Sequence, residues 1–376
     1  MYDVVIAGGS IAGLLCAREI ASDGHSVLVL EDDHEIGTPE HCSGLISAMA
    51  LEELGVIPRI KTFDHKIKSA QISSPSGKQF TINSSKQKVV EINRRELDKQ
   101  VAHQAQKNGA EIRVGTTIHE ITKHGVRTNN ENIDCTIIVD ARGVSSLIQR
   151  DRTGILSSAQ YEVYADWIED KVQVIFDNEK YPGFFAWIIP SSKGVGKIGV
   201  AGKDINAAQV LEDLLLSRGD YSIVRKIFAP IWVKGPIEDF VEENTVIIGD
   251  AAGQSKPTTA GGIFSCGIGG IFAGQAISKY LRSGDRKDLL QYQSRWREKF
   301  GKEFEKQLLA RKILERLDNN TIDKLFESIT PEITKEISEN DDFDFHTSSI
   351  IKLLGIKTSI KTAHAILGGQ LRKLLD

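Results

Sequence analysis

A glycine-rich turn between a predicted strand and a predicted helix constrains the fold more than any other feature of this sequence. Residues 4–6 (VVI) form a short apolar run typical of a buried parallel strand, and helical spacing of apolar residues follows over residues 11–21. The turn between them reads GGSIAG, residues 8–13. A second apolar strand, residues 26–30, ends at Glu31. This order of elements predicts a βαβ unit that opens a Rossmann-like fold.

The turn itself predicts a dinucleotide site. Such a fingerprint needs a glycine for the tight turn, a small residue where the backbone meets the pyrophosphate, and a glycine where helix and strand pack closely. Gly8 and Gly13 fill the first and third places, and Ser10 fills the second. An acidic residue at the end of the second strand can accept hydrogen bonds from ribose hydroxyls. The residues expected to hold the dinucleotide here are Gly8, Ser10, Ile11, Ala12, Gly13 and Glu31.

A second candidate cofactor segment lies far along the chain. The sequence NTVIIGDAAG (244–253) predicts a strand followed by Gly249 and Asp250, and an apolar helix follows the loop TTAGG (258–262). The N-terminus of that helix offers free N–H groups and the positive end of a helix dipole. Asp250 can therefore cap the helix or contact a cofactor.

Taken in this order, the two segments resemble a group of FAD enzymes that includes aromatic hydroxylases and geranylgeranyl reductases, over residues 1–285. The resemblance implies FAD as the cofactor and a contact between Asp250 and its ribityl chain. It also implies that an arginine in NRRELDKQVAHQA (93–105) contacts FAD, and Arg95 matches best. The alternative for Arg95 is an exposed arginine at a helix start.

A middle segment follows the same group with one departure. IIVDARGVSSL (137–147) stands where these flavoproteins have a strand followed by Ala-Asp-Gly. Ala141 and Gly143 match and are expected near the cofactor, whereas Arg142 replaces the aspartate. The replacement argues against a nicotinamide-related role for this turn.

The sequence YPGFFAWIIP (181–190) is unusually apolar and is bracketed by two prolines. It can be a buried core strand or the wall of a pocket for a long apolar substrate. Alternation along a strand would place Phe185, Trp187 and Ile189 on one face. The other face would then carry Phe184, Ala186 and Ile188, so that one face lines the pocket and the other packs on the core.

This segment also resembles the motif P-x-x-Y-x-W-x-F-P of the geranylgeranyl reductases. Pro182, Trp187 and Pro190 match it, while Phe185 and Ile189 replace its tyrosine and phenylalanine. PEHCSGLIS (39–47) and KPTTAGGIFSCG (256–267) are similar to stretches in archaeal members. The resemblance implies an isoprenoid lipid substrate held by the five residues of the aromatic motif and an external electron donor, ferredoxin or NAD(P)H. It places near the flavin Cys42, Ser43, Gly44, Gly249, Gly261, Gly262 and Ile263.

Reduction of an isolated C=C bond needs a proton as well as a hydride, and Cys42 is the candidate catalytic residue. Its alternative is a small structural thiol, and His41 is a further candidate. Cys266 lies in the other loop expected near the flavin, which leaves open a redox pair with Cys42. The four cysteines form no CxxC pair, so the sequence predicts no zinc or other metal site.

Other functions on the same fold stay open. A flavin monooxygenase is the main alternative, and an electron-transfer flavoprotein is a further one. FAWIIP (185–190) also resembles the W-x-W-x-I-P motif of flavin-dependent halogenases, although no catalytic lysine of that class can be located. The aromatic run favours a prenyl substrate, because an electron carrier has no use for it.

The predicted fold class is α/β, with a discontinuous FAD-binding domain, an antiparallel substrate-binding sheet and a helical C-terminal region. The predicted bounds are 1–65, 86–150 and 244–285 for the first, 66–85 and 151–243 for the second, and 286–376 for the third. A net charge of −4 gives no reason to expect nucleic-acid binding, and no apolar run is long enough to span a membrane. The expected location is cytoplasmic. Residues 350–376 carry five basic residues among many Leu and Ile, which suits either contact with an anionic membrane surface or packing on the domain.

Overall fold

The computed structural model describes residues 1–83, 88–340 and 343–345. Within that part of the chain the strands, numbered in chain order, are β1 (Tyr2–Ala7), β2 (Val27–Leu30), β3 (Leu45–Ser47), β4 (Phe63–Ile67), β5 (Ser69–Ser73), β6 (Gln79–Asn83), β7 (Val89–Ile92), β8 (Glu111–Arg113), β9 (Ile118–Thr122), β10 (Gly125–Thr128), β11 (Asn132–Asp140), β12 (Ile155–Tyr164), β13 (Val172–Ile175), β14 (Ala186–Ser192), β15 (Val195–Gly202), β16 (Ser222–Trp232), β17 (Val241–Glu242) and β18 (Thr245–Ile247). The helices are α1 (Ile11–Ser22), α2 (Ala48–Glu53), α3 (Arg94–Lys107), α4 (Val144–Arg150), α5 (Ala207–Leu216), α6 (Ile263–Ser283), α7 (Lys287–Leu314), α8 (Asn319–Glu327) and α9 (Pro331–Asn340), and a 3₁₀ turn covers Gly249–Ala252.

The N-terminal βαβ unit forms the centre of a mainly parallel sheet. The main path of this sheet runs β17-β18-β11-β1-β2-β8, and β10 and β9 extend it antiparallel from β11. β1 pairs in parallel with β11 and β2, which places Val5 opposite Ile138 and Leu28. Residues 4–7 are fully buried, which explains their uninterrupted apolar sequence. The predicted α/β class is confirmed.

A second, seven-stranded sheet runs β16-β12-β15-β14-β13-β5-β6. Its neighbours are antiparallel except for β13 and β5, which pair in parallel. Helix α5 covers one face, where Leu211 and Leu215 pack with Ile188, Ile198 and Val200. The other face carries Trp187 and turns toward the first sheet and the C-terminal helices.

A short three-stranded sheet, β3-β7-β4, contributes Glu91 to a buried ion cluster. The cluster consists of Glu40, Glu91, Lys197 and Arg225, and we call it the Lys197 cluster. Lys197 Nζ on β15 lies 2.8 Å from Glu40 Oε1 and 2.6 Å from Glu91 Oε1. Arg225 Nη1 on β16 lies 3.1 Å from Glu40 Oε2. The cluster therefore ties the seven-stranded sheet to β7 and to the segment before Cys42.

The C-terminal helices complete the core of the first sheet. α6 crosses α1 at close distance, because Gly270 has no side chain and a Cβ there would collide with the carbonyl of Ala12. α7 carries Trp296, Phe300 and Phe304, which are almost fully buried against that core. The charged residues of this helix lie mainly on its outer side, as its sequence indicates.

Helix α8 covers the far edge of the seven-stranded sheet. The rings of Phe80 and Phe326 lie 5.3 Å apart, and Asp323 accepts hydrogen bonds from the Ser76 backbone and hydroxyl. The basic segment 350–376 lies outside the described residues. Among the described helices, none combines the length and the hydropathy that crossing a membrane requires.

Candidate active site

A cavity of about 490 Å³ lies where β1, β2 and β11 end. Ligands of open α/β sheets bind at the carboxyl ends of the strands, and this cavity lies there. The three strands deliver Gly8, Glu31 and Ala141 to its wall. We call it the dinucleotide cavity, because the predicted fingerprint forms its floor.

Two glycines of the fingerprint are required by close contacts. Gly8 has φ 112°, and a Cβ there would collide with the carbonyl of Ala141. A Cβ at Gly13 would collide with the carbonyl of Gly8, so the missing side chain lets α1 pack directly on β1. Ser10 is the N-cap of α1, and its side chain makes no capping hydrogen bond. Its hydroxyl is thus available to a phosphate oxygen at the start of the helix.

Glu31 is bound to the same turn. Its Oε2 accepts a hydrogen bond from Gly9 N at 2.6 Å, and its Oε1 accepts one from Asp33 N at 3.1 Å. Burial raises the pKa of Glu31 to about 7, with a further contribution from a hydrogen bond with Asp32. Ionisation of Glu31 is therefore costly in the folded protein without a ligand.

We expect this titration to appear in the stability of the cofactor-free protein. A carboxyl group whose pKa is raised on folding contributes stability that is full below its unfolded pKa, 4.5, and is lost as the pH rises through its folded pKa, about 7. The free energy of unfolding should fall over this window in the wild type and change less in Glu31→Gln. Denaturant unfolding at several pH values measures both slopes. Equal slopes would assign the titration to another group.

Asp250 lies at the opposite wall of the dinucleotide cavity, beside the N-terminus of α6. Its Oδ1 accepts a hydrogen bond from Cys266 Sγ at 3.4 Å. A Cβ at Gly262 would lie 3.0 Å from Cys266 Sγ and 3.3 Å from Asp250 Oδ1, so the glycine leaves room for this pair. Burial raises the pKa of Asp250. Hydrogen bonds from Cys266 and Ser255 lower it, but by less than burial raises it. The carboxyl group does not cap α6 and faces the cavity.

Cys42 lies in a loop that is held from two sides. Its Sγ accepts a hydrogen bond from Gly44 N at 3.3 Å, and Gly44 packs against the backbone of Ile92 with φ 85°. From the other side, Gln160 Nε2 on β12 donates to the carbonyl of Cys42 at 3.2 Å. Gln160 Oε1 in turn accepts from Trp187 Nε1 at 3.0 Å. The tryptophan of the aromatic motif is thus connected to the Cys42 backbone through one glutamine.

Of the two adjacent arginines at the start of α3, Arg94 lies in the cavity wall, as Arg142 does, whereas Arg95 is not part of the wall. Arg94 Nη2 lies 3.0 and 2.9 Å from the two carboxylate oxygens of Asp98, and its buried Nε has no acceptor among the described residues. Arg95 instead packs under the turn at Gly37, with Nη2 3.5 Å from Glu35 Oε1. The predicted FAD contact at Arg95 stays a prediction, and the geometry favours its neighbour.

The structure brings most of the predicted cofactor residues together and leaves some out. The predicted residues that line the cavity are Gly8, Ser10, Ile11, Ala12, Glu31, Cys42, Ala141, Gly143, Gly249, Asp250, Gly262 and Ile263. Gly13 is not in the wall either, but it allows α1 to pack on β1 beneath the turn. The other predicted residues outside the wall are Ser43, Gly44, Arg95 and Gly261. Arg142, which replaces the expected aspartate, is held by Asp140 through two hydrogen bonds of 3.0 and 2.9 Å.

A second cavity of about 250 Å³ lies between the seven-stranded sheet and helices α7 and α8. We call it the apolar cavity. Its wall consists of Ile72, Phe80, Val174, Phe176, Asn178, Gly183, Phe184, Phe185, Thr258, Thr259, Arg311, Leu314, Leu317, Ile322, Leu325, Phe326 and Ile329. Apolar side chains dominate, as a site for a hydrocarbon chain requires.

The aromatic motif contributes differently from the predicted alternation. Phe184 lines the apolar cavity together with Phe185, and their rings stack 4.2 Å apart. The predicted placement of Phe184 on the opposite face is wrong, because β14 begins only at Ala186 and the turn at Gly183 (φ 69°) precedes it. Ala186 and Ile188 do pack on the α5 side, as predicted.

The remaining motif residues support the cavity without lining it. Trp187 lies flat against Gly199, where any Cβ would collide with its ring. Ile189 is a core residue, and Pro182 packs against Gly202. Pro190 pairs with Gly196 within β14 and β15. Of the five predicted substrate residues, Phe185 alone is in the described cavity wall.

Sequence reasoning missed two parts of the site. Residues 228–232 at the end of β16 form part of the dinucleotide cavity, and helices α7 and α8 close the apolar cavity. A signal for the helices that close the apolar cavity was present in the sequence, namely the regular spacing of the apolar residues Leu314, Leu317, Ile322, Leu325 and Ile329. The position of β16 depends on sheet pairing, which the sequence does not display.

Comparison with known proteins places these features in context. A family model for lycopene cyclase protein matches residues 3–166. A curated relative, the digeranylgeranylglycerophospholipid reductase of Methanocaldococcus jannaschii, is 31% identical over 358 residues, covering 88% of this chain and 90% of the relative. Among solved structures, a geranylgeranyl bacteriochlorophyll reductase-like protein from Thermoplasma acidophilum has a TM-score of 0.85 at 22% identity, with 97% and 99% of the two chains covered. A flavin-dependent brominase has a TM-score of 0.63 at 18% identity, with 94% and 93% covered, which reflects the fold alone.

Proposed function

The chain belongs to the digeranylgeranylglycerophospholipid reductase family, and on this basis we propose that it is an FAD-dependent reductase of isoprenoid C=C bonds. Its substrates are geranylgeranyl chains of an archaeal-type membrane-lipid precursor. In this proposal the predicted FAD-binding domain binds the cofactor and the predicted substrate-binding sheet binds the lipid, each in a separate cavity. The proposed substrate is the class of lipid that the name of the curated relative gives, and the apolar cavity supports this choice.

The observation that carries the proposal is that the two cavities share one hydrophobic cluster. Phe184 and Phe185 line the apolar cavity, Ile231 and Ala260 line the dinucleotide cavity, and all four belong with Trp187 to one cluster around Leu156, Ala201 and Val233. Ala260 has φ 54°, a conformation that a non-glycine residue rarely adopts and that is found at functional sites. An alkene held in the apolar cavity would meet the cofactor at this cluster.

FAD fits the dinucleotide cavity by two observations. The fingerprint backbone, the Ser10 hydroxyl and Glu31 offer the partners that a pyrophosphate and a ribose require. The buried Nε of Arg94 has no acceptor within the part of the chain that the structure describes, and a polar atom of the ligand would satisfy it. Asp250 would contact the ribityl chain.

When bound and reduced, FAD supplies a hydride to one alkene carbon and is thereby oxidised, while the other carbon takes a proton. Cys42 is our candidate for the residue that holds this proton on its thiol. Gln160 and Trp187 position the thiol by fixing the Cys42 carbonyl. Phe184 and Phe185 orient the chain and exclude water, and such positioning is the main catalytic means for an unactivated alkene.

The first test is an anaerobic single turnover. The purified holoenzyme is photoreduced and mixed with a digeranylgeranyl glycerophospholipid, and the oxidised-flavin absorbance band is followed. We expect the band to return, with a mass gain of two hydrogens per reduced bond. Reoxidation that starts only when oxygen is admitted would overturn the reductase proposal in favour of the monooxygenase alternative.

Cys42→Ala tests the proton assignment in the same assay. General acids contribute about 10²–10⁴-fold to a rate, so lipid-dependent reoxidation should slow by about 100-fold. Reoxidation by oxygen, which needs no alkene protonation, serves as the internal control and should be unchanged. An unchanged lipid-dependent rate would remove Cys42 from the mechanism, and an equal loss in both reactions would indicate a structural role.

A further inference from the structure

One charged side chain stands out in the wall of the apolar cavity. Of the described residues that line it, Arg311 alone is charged. It lies near the C-terminus of α7, and its side chain is only 6% exposed. A buried charge in an apolar wall is costly unless it is paired. Arg311 therefore needs an explanation that the hydrocarbon chain of the substrate does not give.

Protein partners satisfy this guanidinium only in part. Nη1 lies 3.4 Å from the carbonyl oxygen of Pro257, at the outer limit of a hydrogen bond. Nη2 lies 2.7 Å from Glu315 Oε1 in an ion pair with poor hydrogen-bond alignment, and among the described residues it has no better-aligned acceptor. A guanidinium carries five N–H donors, and most of them are left for another acceptor.

The charge itself persists in this setting. Burial lowers the pKa of Arg311, and the Glu315 carboxylate acts in the opposite direction. An arginine remains protonated at neutral pH even so. Glu315 is 43% exposed, so its charge is largely solvated and compensates the buried cation weakly.

Polar groups next to Arg311 define one end of the cavity. Thr258 and Thr259 follow Pro257 directly and line the same cavity. Apart from Asn178 and Gly183, the remaining wall is formed by aliphatic and aromatic side chains such as Leu325 and Phe326. The cavity thus has a cationic end and an apolar body, which matches an amphiphile with an anionic head.

We propose that Arg311 binds the anionic phosphate head group of the lipid substrate, with the isoprenoid chain passing Phe184 and Phe185 in the same cavity. A phosphate oxygen would complete the hydrogen bonds of the guanidinium in the fork geometry that arginine favours. Arg311 then sets the preference for phosphorylated over neutral prenyl lipids. The inference rests on the proposed function, because it assigns the head group of that same substrate.

Equilibrium binding to the oxidised holoenzyme tests this without turnover. Geranylgeranyl phosphate, geranylgeraniol and inorganic phosphate are titrated by calorimetry. The wild type should bind the phosphate ester at least about tenfold more tightly than the alcohol, or roughly 1.4 kcal/mol. Inorganic phosphate should not compete at the same concentration, since it lacks the chain. Competition by inorganic phosphate would indicate a free-phosphate site and overturn the lipid assignment.

Three variants separate recognition from structure. Arg311→Gln should bind ester and alcohol equally, and Arg311→Lys should keep part of the preference. Glu315→Gln removes the competing carboxylate and should keep or increase the preference for the ester over the alcohol. An equal loss of affinity for both lipids in Arg311→Gln and Arg311→Lys, or an unchanged preference, would overturn the proposal.

The outcome also stays distinct from that of the proposed function. An enzyme that reduces both lipids with no preference for the phosphate would leave the reductase intact and refute the head-group site. An enzyme that binds the ester through Arg311 but reduces neither lipid would refute the reductase alone.

Discussion

Replacing Gly13 by valine should give a chain that retains no flavin and folds poorly. A Cβ at this position would collide with the carbonyl oxygen of Gly8 and would lie 3.3 Å from Ile6 Cγ2. α1 would have to move off β1, and with it the helix N-terminus that is expected to hold the pyrophosphate. Overpacking against backbone costs about 3 kcal/mol or more. Flavin absorbance per protein and the thermal unfolding midpoint measure both effects.

Gly301→Ala is the matched control for this substitution. Gly301 lies within α7, and a Cβ there would meet one side-chain atom of Arg297 at an ordinary 3.9 Å. Alanine is favoured over glycine in a helix interior by up to about 1 kcal/mol, so this variant should be as stable as the wild type or more stable. A Gly13→Val variant with normal flavin content would refute the role of close helix–strand packing.

Lys197→Met should lower the free energy of unfolding by about 3–5 kcal/mol, because it removes the cation that Glu40 and Glu91 share in a buried site. Lys197 and Glu40 are only 6% and 4% exposed, and Glu91 is fully buried. Denaturant unfolding of wild type and variant measures the difference. Glu40 precedes Cys42 by two residues and also accepts from Arg94 N at 3.2 Å, so the substitution should loosen the Cys42 loop as well.

The pH dependence and a surface control sharpen this prediction. Burial lowers the pKa of Lys197, but Glu91 and Glu40 outweigh it and the pKa is raised overall. The stability from this lysine is therefore full below its unfolded pKa and is lost only in strong alkali, so Lys197 itself should not titrate across neutral pH. Lys226→Met removes a 2.9 Å pair with the partly exposed Glu212 and should cost much less, because solvent screens such a surface pair. Equal costs for both lysines would contradict the role of burial.

The sequence was sufficient for features that are local in the chain. The turn at Gly8 and Gly13, the strand before Asp250 and the α/β class follow from short segments whose spacing has one physical interpretation. It was harder to decide from the sequence which of two adjacent residues contributes to a site. Arg94 and Arg95 both stand in the first turn of α3, and the direction of each side chain depends on where the helix begins. The same holds for Phe184, which precedes β14 by two residues.

Features that join distant segments could not be predicted. Lys197 is 157 residues from Glu40 and 106 from Glu91, and isolated charges in a sequence are normally assigned to the surface. Arg311 lies in a run of charges that indicates a solvated helix face, yet the fold buries it against Pro257 and Phe184. Only the packing of α7 on the seven-stranded sheet reveals that it belongs to a cavity wall.

The link from Trp187 through Gln160 to Cys42 restricts how this enzyme could be re-engineered for other chain lengths. Trimming Trp187 would be the obvious way to enlarge the space beside Phe185. The same change would remove the indole donor that orients Gln160. The Cys42 loop would then lose the hydrogen bond by which Gln160 holds it. A substitution of Trp187 would therefore change both the preference for chain length and the position of Cys42. Leu325 and Phe326 on α8 reshape the opposite wall with no tie to Cys42, so a search for altered lipid range should begin there.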